Sequence, residues 1–535
     1  MNFRALKAPG LAAALVFLAA VGCTDPTVAP KSTVSDAVVF NDPNSYQQFL
    51  AKVYAGLAAT GQQGPAGNAD LAGFDEGFSQ YLRLYFELQE LPTEEAMIAW
   101  GGDGDLMDLN QFVWSAANGY SSIFYSRVFY VVSLANSFLF QTTDDKLASR
   151  GVSASLKTQI HQYRAEARFL RAFAYWNALD LFGSVPIITT VTNAVPAQPA
   201  RDSVYRFVVS ELNAIKDSLP DAVPGNYGRG TNQAAHMMLA ELYLNAGVYT
   251  GTANWTGALT EASEVIGSGK FSLAGNYYLN FLADNNTSPE IIFPITEDGA
   301  HTRNYGATTF IIHAECGNSL TGDSVGVPGN CWYGLRIKPQ ADSFYATTAD
   351  HPVGDKRAAA LFRTGQTLAI STPTNFGQGT LMSKFQNRRS TGTATADPYF
   401  VDTDFPVFRL AEAYLIYAEA QLNGGGGSPG TALGYINLLR DRAYGVAPGG
   451  AGEITAPQLT LPFVLAERGR ELIWEAHRRT DLVRFGQFGG ASTYLWSWKG
   501  GTQAGAAVAA KFNLFPIPAS QIAAAGGKLT QNPGY

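Results

Sequence analysis

Cysteine is scarce in this chain, with three residues in 535. One of them ends the stretch His313-Ala314-Glu315-Cys316, which carries the first half of a zinc-deaminase signature. The second half, Pro-Cys-x-x-Cys, is missing, because Cys331 follows Asn330 and has no cysteine three residues on. The six histidines, His236 and His477 among them, are scattered without His-Glu-x-x-His spacing, so no metal site is expected. Basic charge is also lacking. Lysine and arginine total 37 against 44 acidic residues, which argues against a nucleic-acid partner that needs a basic face. The tetraglycine at 424–427 has no Gly-Lys-Ser/Thr after it and reads as a joint between two helices rather than a phosphate loop. Beyond the N-terminal stretch, no second apolar run is expected to reach the ~20 residues that span a bilayer. "AGAAVAAKF" at 504–512 is broken by Lys511.

What is present begins at the N-terminus. Arg4 and Lys7 precede an apolar stretch from Leu11, closed by Ala20-Val21-Gly22-Cys23 and then polar residues. This is the make-up of a secretory signal, and the cysteine at its end resembles the bacterial lipobox, with Ala20 where leucine is usual. Residues 1–22 are therefore expected to be a lipoprotein signal peptide, with Cys23 the acylated first residue of the mature chain. Residues 24–40 are rich in Pro, Thr, Ser and Val without periodicity and continue as a tether, so 23–40 links the anchor to a body over 41–535. Cys316 and Cys331 flank a Gly/Ser/Asn/Pro-rich loop. In an oxidising compartment the simplest reading is one disulfide, contributing about 3 kcal/mol in the chain-entropy model; two unpaired thiols are the alternative.

The body reads as mainly helical. Apolar residues recur at helical spacing over 42–60, 118–140, 154–182, 202–218, 231–248, 255–268, 405–423, 431–444 and 461–485. Residues 231–273 read as helix, glycine turn, helix, the form of a helical repeat. Two regions read as irregular. Residues 61–113 are rich in Gly, Asp and aromatics, and 288–400 holds short strand-like runs, "EIIFPI" (290–295) and "ATTFIIH" (307–313), between loops. Long loops on a rigid frame are where binding chemistry concentrates.

Four stretches together carry a family likeness. They are "YRAEARFLRAFAYWNALDLFGSVPII" (163–188), "FPVFRLAEAYLIYAEAQLN" with "INLLRDRAYG" (405–423, 436–445), "ERGRELIWEAHRRTDLVRFGQF" (467–488), and "LFPIPASQI" with the terminal "QNPGY" (514–522, 531–535). In this order the chain resembles the SusD/RagB family of surface glycan-binding lipoproteins from about residue 40 to Tyr535. Two positions depart from the family pattern: Ala476 stands where glycine is usual and Thr480 where an aromatic is usual. The resemblance implies tetratricopeptide-like helix pairs, here a scaffold over 41–280 and 405–485. A long irregular insert would carry the ligand site, over 61–113 and 288–400. It also implies an outer-membrane, lipid-anchored, surface-exposed protein that hands an oligosaccharide, or sometimes a peptide, to a SusC-like TonB-dependent transporter. No enzyme activity and no cofactor are implied.

The motif residues themselves read as scaffold. Arg164, Arg168 and Arg171 share one helical face, and Leu170, Phe173, Asn177 and Leu181 another that would pack. Glu467, Glu471 and Glu475 line one face, with Arg470, Arg478 and Arg479 nearby. A glycoside hydrolase needs two carboxylates, one with a raised pKa; carboxylates among arginines would stay ionised and form an inter-helix ion-pair network instead.

A sugar site needs flat aromatic rings for C–H faces and planar polar groups for hydroxyls. The candidates are loop aromatics: Trp100 with Asp103 and Asp105; Trp332 and Tyr333 with Arg336; Arg303 and Tyr305 with Asn304; and Trp496 with Trp498. Trp100 and the Trp332/Tyr333 pair are preferred. The N-terminal reading has a direct check. Cys23→Ser is expected to move the protein from the membrane fraction to the soluble exported fraction and to abolish incorporation of labelled palmitate.

Overall fold

The structure, a computed structural model, describes residues 39–65, 67–393 and 395–535. The signal peptide, Cys23 and all but the last two residues of the tether lie outside the described residues.

Helices dominate. They are α1 (Ser45–Ala58), α2 (Tyr81–Glu90), α3 (Gly104–Gln111), α4 (Gly119–Gln141), α5 (Ala154–Phe182), α6 (Arg201–Ile215), α7 (Asn232–Leu244) and α8 (Trp255–Gly267). After an irregular stretch come α9 (Ala307–Glu315), α10 (Leu410–Leu422), α11 (Pro429–Tyr444), α12 (Leu461–Leu472) and α13 (Arg478–Arg484). From α4 to α8 each helix packs on the next, giving a row of tetratricopeptide-like pairs. The row then jumps. The neighbour of α8 is α10, which in turn holds α11 and α12. Residues 268–404 are thus an insertion in a continuous helical row. Its two ends are clipped together by strands β2 (Ile291–Ile295) and β6 (Phe405–Arg409), paired antiparallel.

Helix α5 shows why the motif residues are scaffold. Leu170, Phe173, Asn177 and Leu181 are buried. Arg168 and Arg171 reach across to Glu211 of α6, with Arg168 at 2.8 Å, and Arg164 donates to the Leu139 carbonyl of α4. Gly183, at φ 74°, ends the helix in a conformation that favours glycine.

Five expectations are corrected. The stretch 61–113 contains α2 and α3, and all ten residues of α2 are buried. The sequence of α2 keeps helical spacing, with Arg83, Glu87 and Glu90 on one side, but the helix is short and its polar side chains are paired inside the protein, Arg83 with Glu87 and Gln89 with Asp180. "ATTFIIH" is the start of the wholly buried helix α9, not a strand; tertiary packing overrides the β-branched preference. The 405–423 run opens as strand β6 before turning helical at Leu410. The 461–485 run is two helices, broken at 473–477, where Trp474 (φ 63°) and Ala476 (φ 64°) are left-handed. The freed N–H groups of Trp474 and Ala476 donate to the carboxylates of Glu95 and Glu90. A fifth correction concerns apolar length. Helix α4 is, by length and composition, apolar enough to cross a membrane, yet more than half of its apolar window is buried against the rest of the protein, as befits a core helix packed on α1, α2 and α5.

Glu467 and Glu471 of α12, with Glu475 in the break that follows it, sit in a fully buried ionic network. Glu467 contacts Arg357, Arg440 and Arg470 at 2.8, 3.1 and 2.8 Å. Glu471 contacts Arg357 (2.8 Å), Arg409 (2.6 Å) and Arg442. Glu475 contacts Arg409 and Lys384, each at 2.6 Å. Arg478 and Arg479 pair elsewhere, with Glu94 and Asp180. Burial alone would raise the glutamates, but the facing guanidiniums outweigh it and hold Glu467 and Glu471 well below the usual carboxylate range.

Two predictions follow from these contacts. Glu471→Ala leaves three buried guanidiniums short of a partner and is expected to destabilise the protein by about 3–5 kcal/mol in urea unfolding at pH 7. The depressed pKa values mean that the unfolded chain takes up protons first. Network stability is therefore full above about pH 5 and falls as acid drives the pH down toward the folded-state values; the urea midpoint should drop across that window, and less steeply in Glu471→Gln. Ala476→Gly, in contrast, relieves a left-handed alanine and is expected to raise stability by about 0.5–1 kcal/mol, read as a higher melting temperature.

Candidate functional site

The site is built on the end of α9. The last carbonyls of a helix lack intrahelical partners. Here the N–H groups of Trp332 and Gly334 donate to the carbonyls of His313 and Ala314 at 2.7 and 2.8 Å, and that of Tyr333 to Cys316 at 3.2 Å. Cys316 and Cys331 are disulfide-bonded, with Cα atoms 5.0 Å apart, so the intervening loop is closed and its return is fixed to the helix end. Strand β1 (Met97–Ile98) then pairs antiparallel with β3 (Leu335–Arg336). The Ala99 N–H continues this ladder to the Gly334 carbonyl at 2.9 Å. That places Trp100 beside Trp332, whose carbonyl accepts from Trp100 Nε1 at 2.9 Å. Gly334 makes the approach possible, since a Cβ there would lie 3.0 Å from the Trp100 ring.

The rings converge. Trp100 and Trp332 lie 6.4 Å apart, and Tyr305 is 6.3 Å from Trp332. Tyr399 stands 6.0 Å from Tyr305 and 6.4 Å from Trp332. His313 stacks beneath Trp332 at 4.7 Å and 19°, its ring nitrogens facing the carbonyls of Asn330 and Tyr399. Phe310 packs edge-on against Trp100 at 5.8 Å, with the Arg83 guanidinium 4.3 Å over Phe310. Arg83 also donates to the Tyr305 carbonyl at 3.2 Å and pairs with Glu87 at 3.0 Å. Burial nevertheless pushes Glu87 up to about 7, against the pull of Arg83. At the edge, the Arg303 guanidinium lies 4.7 Å over Phe400, which touches Tyr305. The four rings Trp100, Tyr305, Trp332 and Tyr399 are all half-buried, so each is anchored yet presents surface.

The structure thus brings Trp100, Trp332 and Tyr305 onto one surface, with Arg303 at its border. Other candidates go elsewhere. Asp103 caps α3, accepting from Leu106 N–H at 3.2 Å, and also accepts from the Tyr120 hydroxyl. Asp105 accepts from Gly119 N–H at 2.8 Å. Arg336 is wholly buried in β3, with Nη2 donating to the Pro373 carbonyl at 2.6 Å, and burial lowers it to about 9. Arg336 therefore presents nothing to a bound molecule in this conformation. Tyr333 is half-exposed but turns to Phe376, away from the other rings. Asn304 is buried and donates to the Ala58 carbonyl. Trp496 is buried against Phe112 and Phe488, and Trp498 donates to the Ile370 carbonyl, so this pair anchors the fold. Tyr399, His313 and Arg83 were not legible in the sequence as site residues. The aromatic run Tyr399-Phe400 is the one signal that could have found part of it.

The architecture is a helical row with an inserted segment that carries an aromatic surface. Residues 272–535 match the SusD family, and residues 41–244 match a family described as starch-binding associating with outer membrane. The chain is 36% identical to the starch-binding protein SusD of Bacteroides thetaiotaomicron, over 91% of this chain and 92% of that one. It is 26% identical to SusD-like protein P25 of Formosa agariphila over 60% of its length, 63% of that protein's. Among solved structures, a SusD homolog from Bacteroides thetaiotaomicron superposes with a TM-score of 0.70 at 21% identity, covering 94% of this chain and 98% of that one. The surface glycan-binding protein A of the same organism, solved in complex with laminarihexaose, gives a TM-score of 0.66 at 19% identity, covering 91% and 98%. The chain belongs to the SusD family.

Proposed function

We propose that this protein is a non-enzymatic glycan-binding lipoprotein of the outer membrane, which captures an oligosaccharide on the Trp100–Trp332–Tyr305 surface and passes it to a SusC-like TonB-dependent transporter. The observation that carries this reading is the convergence of rings from three distant segments, around residues 100, 305 and 332, on one half-exposed surface. Pyranose C–H faces stack on such rings, and Arg303 supplies hydroxyl partners at the border. The 36% identical relative is named for starch, so an α-linked glucan is the first ligand to test, and a β-glucan the contrast. Against hydrolysis stand the α12 carboxylates, buried and held ionised by arginines, where a glycosidase needs one held neutral. Cys23 would supply the membrane anchor, and peptide cargo remains the alternative ligand.

The test is calorimetry on protein lacking residues 1–23, titrated with maltoheptaose and laminarihexaose. Maltoheptaose binding is expected. Trp100→Ala and Trp332→Ala should each weaken it by about tenfold, the equivalent of ~1.4 kcal/mol, without loss of secondary structure. Preferential binding of laminarihexaose would reassign the glycan class. Binding of neither, with peptide binding present, would overturn the reading.

A further inference from the structure

Consecutive residues Trp332 and Tyr333 serve different surfaces. Trp332 contacts Trp100, Tyr305, His313 and Tyr399, whereas Tyr333 contacts Phe376, edge-on at 5.3 Å. The Tyr333 ring rests on the backbone of Gly317, where an added Cβ would lie 2.5 Å from Tyr333 and 2.6 Å from Phe376. Its back is therefore supported by a glycine and a phenylalanine edge, while half of the residue's surface stays open to solvent. Tyr333 is held at φ 54°, a conformation rare for a residue with a bulky side chain. The hydrogen bonds of 332–334 to the end of α9 and the adjacent disulfide impose it. Strain retained by surrounding structure points to a use for the side chain so displayed.

Beside this ring is a cavity of about 270 Å³ lined by Gly317, Asn318, Thr321, Asp323, Cys331 and Tyr333. Among the described residues, neither the Asp323 carboxylate nor the Tyr333 hydroxyl has a partner. The Asn318 amide donates to Gln366, which leaves its carbonyl oxygen free. A supported ring with one open face, next to unpaired planar acceptors and a hydroxyl, has the chemistry of a pyranose platform. We propose that Tyr333 and the Asn318–Asp323 cavity form a second saccharide subsite, separated from the Trp100–Trp332–Tyr305 surface by one step of backbone and reached only by longer chains. This inference rests on the glycan-binding reading above.

The test compares maltotriose with maltoheptaose on wild type, Tyr333→Gly, Tyr333→Phe and Trp100→Ala. Tyr333→Gly suits the left-handed backbone, so its melting temperature should equal or exceed that of wild type, which removes misfolding as an explanation. Its maltoheptaose affinity should fall about five- to tenfold while maltotriose binding is unchanged. Tyr333→Phe should keep both affinities within about twofold, and Trp100→Ala should weaken both by about tenfold. Unchanged maltoheptaose affinity in Tyr333→Gly overturns the subsite and leaves the exposed ring to a protein contact. Equal loss for both sugars also overturns it, because Tyr333 would then act by supporting Trp332. Failure of wild type to bind either sugar, or laminarihexaose, would sink the glycan reading and this subsite with it, an outcome distinct from the first two.

Discussion

Glu471 touches three guanidiniums, and the origin of those three explains why the molecule holds together as one unit. Arg442 belongs to α11 in the helical row, Arg409 ends the strand that closes the insertion, and Arg357 comes from within the insertion itself. Glu290, at the insertion's other mouth, shares Arg409 and Arg442 at 2.8 and 2.7 Å. Helix packing locates part of this long segment, through α9 against α2. Its two mouths and the Arg357 stretch are held by charges that have no solvent to fall back on. Ion pairs of this kind are weak contributors to net stability, because desolvation offsets most of the attraction, but removal of one partner is costly. Their effect here is positional: any register other than the observed one leaves a buried charge unpaired.

A second buried set does the same for the early segment. Glu90 at the end of α2, with Glu94 and Glu95 between α2 and β1, meets the break that separates α12 from α13. Glu94 takes Arg478 at 2.6 Å, Glu95 and Glu90 accept the N–H groups of Trp474 and Ala476, and the Glu95 carbonyl accepts from the Trp474 ring at 2.7 Å. Five residues further on is Trp100. The stretch 467–484 therefore positions both arms of the aromatic surface, the 305–332 arm through Arg357 and Arg409, and the 100 arm through the 473–477 break. Neither set touches the rings. The charged residues most concentrated in the sequence work at a distance from the surface they place.

What could be read from the sequence follows from how each signal arises. Long apolar runs at helical spacing between turn signals made α1, α4, α6, α8 and α11 legible to within a few residues. Helix α2 also carries helical spacing, but in ten residues inside a Gly- and Asp-rich stretch, and α9 opens on a β-branched run that reads as strand. The break at 473–477 was legible in one respect only. Ala476 stands where the family usually has glycine, and its φ of 64° gives that departure a physical meaning. For the candidate site, the three loop aromatics that the structure brings together, Trp100, Tyr305 and Trp332, stood out in the sequence because bulky rings outside periodic segments need a reason to be there. Asp103, Asp105 and Arg336 were not distinguishable from them by residue type. Whether a polar side chain near a ring faces a ligand, caps a helix or enters the core is decided by contacts across hundreds of residues, and spacing carries no record of those.

The aromatic surface gains its order from backbone rather than from side-chain networks. Trp332 and Tyr333 are fixed by N–H groups that satisfy a helix end, and Trp100 by a two-stranded ladder that a glycine allows to come close. Rings held this way lose little conformational freedom on binding, so stacking is not offset by an ordering cost. Arg303 is the most exposed of the charged groups at the border, and Arg83 is already committed to Tyr305, Gly77 and Glu87. Such a surface recognises shape first and hydroxyl pattern second. On the function proposed above, it suits a curved or flat run of several sugar units, each adding a modest stacking term, and release to a transporter would require no single contact to be broken at high cost.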